Sequence, residues 1–155
     1  SEEAKQGLSV CVEAVEEIVN LAYEALIHND LAAAARVEPL EDTIDILTER
    51  LKARHVNRLQ SGQCTLEQGF VFNDCINNFE RVADHCSNIA LIVLETQQTL
   101  SLDAHQYVET LKADNTARYQ SLVSEYEQRY LLRLDTPRES EESGQTSLFV
   151  PSPQQ

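Results

Sequence analysis

The chain has 155 residues, 42% of them hydrophobic, which is the size and composition of one ordinary globular domain. Its 26 acidic and 12 basic residues give a net charge of −14. Nucleic acid and anionic membrane surfaces are therefore disfavoured as partners, whereas metal cations and basic protein surfaces are favoured. No apolar run approaches the roughly 18 residues of a membrane-spanning helix, so we expect no direct membrane insertion by this chain.

The first predicted helix runs from about Glu3 to His28. Its apolar residues recur at alternating spacings of three and four, which is the pattern of a helix with one buried face. They are Leu8, Cys11, Val15, Ile18, Ala22 and Ala25. Asn29 and Asp30 then mark a break, and Asp30 is a suitable N-cap for the next helix.

The second predicted helix runs to about Ser61 and contains Pro39. Two interpretations of Pro39 stay open: the helix kinks there, or a short helix ends and a new one begins with Pro39 in its first turn. Gly62 is a good helix terminator. The apolar stripe of this segment consists of Ala33, Val37, Leu40, Ile44, Leu47 and Leu51.

Two further helices follow in the prediction. Thr65 and Gln68 form a capping-box pattern at the start of the third helix, which runs to about Thr96. Asp103 and Gln106 offer a similar start for the fourth helix, which ends near Leu134. The third stripe consists of Phe72, Ile76, Phe79, Ala83, Cys86, Ala90 and Val93, and the fourth of Val108, Leu111, Tyr119, Leu122, Tyr126 and Tyr130.

Short links between long helices make consecutive helices antiparallel neighbours. We therefore predict an all-α fold, an antiparallel up-down bundle of three to four long helices over residues 1–134. Residues 135–155 are rich in Ser, Glu, Gln and Pro and are predicted to be a disordered tail. Because the chain begins with Ser1 and contains no Met, we expect it to be a processed or cloned fragment.

The acidic residues beside the core stripes are the most informative feature of the sequence. Glu41 and Asp45 form an ExxxD pair on the second helix, preceded by Glu38, and Glu80 and Asp84 form the same pair on the third. This spacing places both carboxylates of a pair on one helix face. Each acid follows a core residue by one position, so the pairs lie on the flanks of the stripes. If the two helices pack with the favourable hand, both pairs converge on one groove.

Converging carboxylates repel one another unless a cation or bound protons compensate their charge. Mg²⁺, Mn²⁺, Ca²⁺ and oxidised iron are the ions that suit such oxygen ligands. The alternative is a solvated acidic face paired with arginine, for which Arg81 is available. Both interpretations stay open at this point.

The stretches VEPLEDTID (37–45) and NNFERVADHCSNIA (77–90) resemble the paired acidic motifs of PhoU-like domains. The order Glu38-Pro39-Leu40-Glu41 with Ile44-Asp45 resembles, more specifically, the PhoU-like domain of the bacterial Na/Pi-cotransporter family. The resemblance covers roughly residues 8–131. Further positions carry it between and beyond the motifs, namely His55, Arg58-Leu59, Gly62, Cys64, Gly69 and the run from Glu80 to Ala90.

The resemblance implies a cytosolic helical domain that follows a membrane transport domain and regulates phosphate transport at the inner face of the membrane. It also implies metal ions such as Fe, Mn or Mg, with Glu38, Glu41, Asp45, Glu80 and Asp84 as ligands. Many PhoU proteins contain two tandem three-helix units, whereas this chain offers one unit and a fourth helix. A homodimer would supply the missing half. The expected partner is the membrane domain of a phosphate transporter, in the same polypeptide or in another.

A transporter fragment has two alternatives. One is a stand-alone PhoU-type metal-binding adaptor that regulates phosphate-uptake signalling. The other is a ferritin-like di-metal enzyme, which requires ExxH pairs projecting into the core of the bundle. No such pair occurs, and no GxSxG motif or glycine-rich phosphate loop occurs either. The sequence therefore predicts a protein that is not an enzyme.

Overall fold

A computed structural model describes residues 1–97 and 117–135 of the chain. Three long helices occupy the first range: α1 (Glu2–His28), α2 (Leu31–Gln60) and α3 (Leu66–Gln97). Residues 117–135 form a shorter helix, α4, composed of Ala117–Tyr126, a π-helical turn Glu127–Leu131 and a last α-helical turn Leu132–Asp135. The predicted all-α bundle is therefore confirmed. Asp135, the first residue of the predicted tail 135–155, is the last residue of α4. The rest of the predicted tail, and the predicted capped start of the fourth helix at Asp103, lie outside the described residues.

The predicted starts of α2 and α3 are confirmed by their hydrogen bonds. The Asp30 carboxylate accepts from the backbone N–H groups of Ala32 and Ala33, at 2.8 and 3.2 Å. The Thr65 hydroxyl accepts from the Gln68 N–H at 3.2 Å, and the Gln68 side chain accepts from the Thr65 N–H at 3.3 Å. These side chains satisfy backbone donors that a helix leaves unpaired in its first turn.

The helices alternate in direction, as contacts between their ends show. Glu3 at the start of α1 pairs with Arg58 near the end of α2. Early in α2, Glu38 accepts a hydrogen bond from Ser87, which lies late in α3. Late in α2, the His55 ring packs against Phe72, which lies early in α3. Helix α4 in turn runs antiparallel to α1, since Arg129 pairs with Glu17 and Arg133 with Glu13. The topology is therefore up-down-up-down, as predicted.

The apolar stripes of the helices meet in one core. Most of the predicted stripe residues in the described ranges are buried. Leu8, Val15, Phe79 and Leu122 are partly buried and pack against the core, and Tyr119 is also partly buried. Burial of these faces is the main driving force for folding. Because each helix is apolar on one side only, no helix in the described part of the chain has the length and apolarity to cross a membrane.

Helix α2 continues through Pro39 without a break. A new helix therefore does not begin at Pro39, and that interpretation is wrong. A proline removes one backbone hydrogen bond from a helix interior. Here Pro39 is buried between Val37 and Leu40, which are fully buried in the core. Packing of the whole stripe against the other helices outweighs the loss of that bond.

Candidate functional site

Three carboxylates lie together on α2, immediately around Pro39. Glu38, Glu41 and Asp42, called the acid cluster below, are spaced i, i+3 and i+4, so they share one face of the helix. One oxygen atom from each lies within 4.8 Å of the others, and all three side chains are half-buried. In the described residues, no other group of three or more acidic, His or Cys side chains meets at this distance.

Two other helices contribute hydroxyl groups to the acid cluster. The Ser87 hydroxyl on α3 donates to Glu38 Oε2 at 2.6 Å. The Tyr119 hydroxyl on α4 donates to Asp42 Oδ2. The site is therefore enclosed by α2, α3 and α4, and its hydroxyl groups depend on the packing of the bundle.

The negative charge of the site affects the pKa of Tyr119. Burial raises the pKa of the Tyr119 hydroxyl well above its usual value, and the hydrogen bond to Asp42 and the negative charges of Asp42, Glu38 and Glu41 raise it further. Each of these effects disfavours a further negative charge on the Tyr119 oxygen. Tyr119 therefore remains a neutral hydrogen-bond donor at physiological pH, beside a concentration of negative charge.

The ligand set of the acid cluster fits a hard cation. Carboxylate oxygens, with hydroxyl oxygens beside them, are the donors that Mg²⁺, Mn²⁺, Ca²⁺ and ferric iron prefer. A cation bound here would also offset the mutual repulsion of the carboxylates. The arrangement offers no activated nucleophile among these side chains, so binding is the chemistry that it supports.

The structure brings together only part of the predicted ligand set. Glu38 and Glu41 belong to the acid cluster, but Asp45 lies one turn further along α2 and is exposed. Glu80 on α3 instead forms an ion pair with Lys52, at 2.5 Å between Oε2 and Nζ. Asp84, one turn beyond Glu80, is exposed. In the described residues, the two ExxxD pairs do not form one four-carboxylate cluster.

A groove beside the acid cluster extends the acidic surface. It has a volume of about 600 Å³ and lies between α2 and α4. Asp45 borders this groove together with Asp42, Tyr119 and Glu127. Asp45 therefore faces the same groove as Asp42, although it is not a member of the acid cluster.

Sequence analysis missed Asp42, Ser87 and Tyr119. A signal for Asp42 was present, because it follows Glu38 by four residues and so shares its helix face. The ExxxD interpretation paired Glu41 with Asp45, although Glu38 and Asp42 have the same spacing. No local signal marks Ser87 or Tyr119, which reach the site from other helices.

With this geometry in place, comparison with known proteins assigns the family. The family model for the PhoU domain matches residues 10–93, more than half of the chain. The chain belongs to the PhoU domain family. The PhoU match includes both acidic stretches of the sequence, 37–45 and 77–90, and therefore the acid cluster and Ser87.

A curated relative agrees with the PhoU assignment. The chain is 27% identical over 86 residues to the phosphate-specific transport system accessory protein PhoU homolog 1 of Thermotoga maritima. The match covers 54% of this chain and 37% of the relative, so the chain spans little more than a third of the length of that protein. No solved structure matches the chain.

Proposed function

We propose that this PhoU domain regulates phosphate transport and acts through a membrane transport protein. The observation that carries the proposal is the PhoU match over residues 10–93, supported by a relative named as an accessory protein of phosphate-specific transport. We place the domain on the cytoplasmic side of the membrane, as the regulatory part of a Na/Pi-cotransporter family protein. The alternative is a stand-alone PhoU-type adaptor of phosphate-uptake signalling. A regulatory role requires binding surfaces and not a catalytic centre.

One exposed surface suits contact with a transport protein. Val12, Val19, Tyr23 and Leu26 share one side of α1 and are 37%, 42%, 58% and 51% exposed. On α1, the core-facing stripe lies between this apolar flank and the side of the helix that contacts α4. Large apolar side chains that lie side by side on a surface are typical of protein interaction sites.

Phosphate uptake by cells that express the transporter with this chain, in cis or in trans, tests the regulatory function. The chain should change the uptake rate, and Val19→Ser/Tyr23→Ser should abolish that effect without altering the helical content. Val56→Ser/Phe70→Ser is the matched control, because these side chains are also exposed but lie on α2 and α3. Uptake that is indifferent to the chain would contradict a regulatory role. The length of the native polypeptide on a blot separates a cotransporter from an adaptor.

We propose further that the acid cluster binds a hard cation, with Fe, Mn and Mg as the candidates. Glu38, Glu41 and Asp42 are the proposed ligands, and Asp45 borders the same groove. The resemblance also implied Glu80 and Asp84 as ligands. We propose instead that Glu80 contributes to the α2–α3 interface and that Asp84 belongs to the exposed surface. The support is the Lys52 ion pair of Glu80 and the exposure of Asp84.

Terbium luminescence offers a sharp test of this cation site. The chain contains no Trp, and Tyr119 is hydrogen-bonded to Asp42, so Tb³⁺ in the acid cluster should be excited through this tyrosine. Glu41→Gln/Asp42→Asn should lose the signal and the bound Mn²⁺ or Fe. Glu80→Gln/Asp84→Asn should retain both. The opposite ranking of the two variants would place the metal on α3, and no binding by the unmodified chain would refute the site.

A further inference from the structure

A second charged site lies at the other end of α2 from the acid cluster. Arg50, Arg54 and Arg58 are spaced i, i+4 and i+8 and form a row along one face of the helix. We call them the arginine row. The chain contains only 12 Lys and Arg residues against 26 acidic ones, so three arginines on one face are a local concentration of positive charge. The Asp135 carboxylate compensates part of it through its ion pairs with Arg50 and Arg54.

Arg58 is the most unusual member of the row because it is buried. Its side chain is only 4% exposed, and its guanidinium carbon lies 5.2 Å from the centre of the Phe72 ring. Both terminal nitrogens, Nη1 and Nη2, are inaccessible to solvent and form no hydrogen bond with the described residues. A buried guanidinium group is costly unless an anion compensates its charge and accepts its hydrogen bonds. The geometry therefore points to an anion whose oxygen atoms would accept the hydrogen bonds of Nη1 and Nη2.

A carboxylate from the start of α1 already approaches this position. Glu3 Oε2 lies 3.6 Å from Arg58 Nη1, and Glu3 Oε1 lies 3.8 Å from Arg54 Nη1. Both separations exceed hydrogen-bonding distance, and the Glu3 side chain is 48% exposed. The Glu3 carboxylate is thus drawn between two guanidinium groups without being hydrogen-bonded to either. It occupies the place where an oxyanion could bind.

His55 is adjacent but does not contribute a ligand atom. Burial, and then the positive charge of Arg58, lowers the pKa of the His55 imidazole, so the ring is neutral at physiological pH. Its Nε2 atom faces Gly69, and a Cβ atom at that glycine would lie only 2.7 Å away. Gly69 therefore blocks access to the His55 ring on the Nε2 side. Arg54 already donates to the Leu134 carbonyl at 2.8 Å and to the Asp135 carboxylate. An anion at this place would therefore share Arg54 with Asp135 and would find its unused N–H donors on Arg58.

We propose that Arg54 and Arg58 form a binding site for a free phosphate-type oxyanion, which displaces the side chain of Glu3. Guanidinium groups present several N–H donors in a planar fork, which matches the geometry of phosphate oxygens. The aromatic ring beneath Arg58 holds the guanidinium plane in place. Glu3 acts as an internal competitor, since it must leave before the anion binds. This inference rests on the arginine geometry alone and is independent of the function proposed above.

Calorimetric titration of the complete chain with inorganic phosphate tests the proposal, with sodium chloride of equal ionic strength as the reference. The unmodified chain should bind phosphate saturably. Glu3→Gln should bind it at least several-fold more tightly, because the internal competitor has lost its charge. Glu2→Gln is the matched control: Glu2 pairs with Lys5 and not with the arginine row, so this variant should bind as the unmodified chain does.

Two further variants separate an anion site from a purely structural ion pair. Arg54→Gln should weaken phosphate binding at least tenfold, and Arg58→Lys should do the same, because a lysine cannot reproduce the fork. If Arg58→Lys fails to fold, Glu3→Gln and Arg54→Gln still decide the question. Saturable phosphate binding that is tighter in Glu3→Gln supports the site. The proposal is overturned if Glu3→Gln merely loses stability without gaining affinity, or if a nucleotide binds while inorganic phosphate does not.

Discussion

At the scale of single residues, Glu17 on α1 holds α4 in place. Its carboxylate accepts from Arg129 Nη1 at 2.8 and 2.9 Å, from the Tyr130 hydroxyl, and from Arg36 Nη2 at 3.4 Å. The Glu17 side chain is only 22% exposed. Hydrogen bonds to a charged group that is partly shielded from water are stronger than those of an exposed surface pair.

Glu17→Gln should therefore lower the free energy of unfolding by about 2 kcal/mol, the typical contribution of hydrogen bonds to a charged partner. Glu16→Gln, an exposed neighbour on the same helix, should change it by less than about 0.5 kcal/mol. Urea unfolding followed by circular dichroism measures both. Equal effects in the two variants would show that Glu17 makes no special contribution to the attachment of α4.

Buried tyrosines make stability depend on pH in the alkaline range. Burial raises the pKa values of Tyr119 and Tyr130 above the ordinary 10.0, and their hydrogen bonds to Asp42 and Glu17 raise them further. A folded-state pKa above that of the unfolded chain contributes stability that is complete below the unfolded value and is lost as the pH rises beyond it. The free energy of unfolding should therefore fall steeply above pH of about 10.

Urea unfolding between pH 8 and 11 checks this expectation. Tyr130→Phe should reduce the steepness of the decline, since the phenylalanine cannot ionise. Tyr23→Phe is the control, because Tyr23 is 58% exposed. If the decline in the free energy of unfolding is unchanged in Tyr130→Phe, other groups cause the loss of stability at alkaline pH.

At the scale of elements, the end of α2 depends on Gly62. The Gly62 N–H donates to the Leu59 carbonyl at 3.1 Å, and the Gln63 N–H donates to the Arg58 carbonyl at 2.9 Å. These two bonds are those of a Schellman motif, which requires a left-handed residue just past the helix. Gly62 has a φ angle of +71°, so it meets that requirement without strain.

Gly62→Ala should lower the free energy of unfolding by about 1 kcal/mol, because an alanine is strained at this φ angle. Space does not limit the substitution, since a Cβ atom at this position has no neighbour within 4 Å. Gly62→Asn should lose less, because asparagine tolerates the left-handed conformation. Thermal unfolding of the three proteins gives the ranking, and an equal loss for alanine and asparagine would argue against backbone strain.

At the scale of the whole molecule, charge opposes folding. The chain has a net charge of −14, so folding brings negative groups closer together. Their mutual repulsion lowers the stability of the folded state. Several carboxylates are compensated by specific partners, such as Glu80 by Lys52 and Glu13 by Arg133. The acid cluster gathers three negative charges within a few ångströms.

Moderate salt should therefore stabilise the chain. Raising sodium chloride to about 0.15 M shortens the screening length to about 8 Å, which weakens the long-range repulsion more than the close ion pairs. The urea midpoint should rise over this range. A falling midpoint would show that the ion pairs outweigh the net charge.

Local patterns in the sequence determined the helices, their caps and the residues that form the core. The stripes of α1 to α3, the N-cap at Asp30 and the capping box at Thr65 depend only on residues a few positions apart, so they could be predicted. The family could be predicted for the same reason, because its motifs are contiguous. The position of Glu38 and Glu41 on a flank of α2 also followed from spacing alone.

Only the tertiary structure decided which of these groups meet. Packing placed Lys52 opposite Glu80, and so withdrew Glu80 from the predicted cluster. It also brought Tyr119 to Asp42 across 77 positions of sequence and buried Arg58 against the Phe72 ring. The physical reason is that spacing along a helix gives the direction of each side chain, whereas its neighbours depend on the register between helices. That register is determined by how the apolar faces fit together in three dimensions.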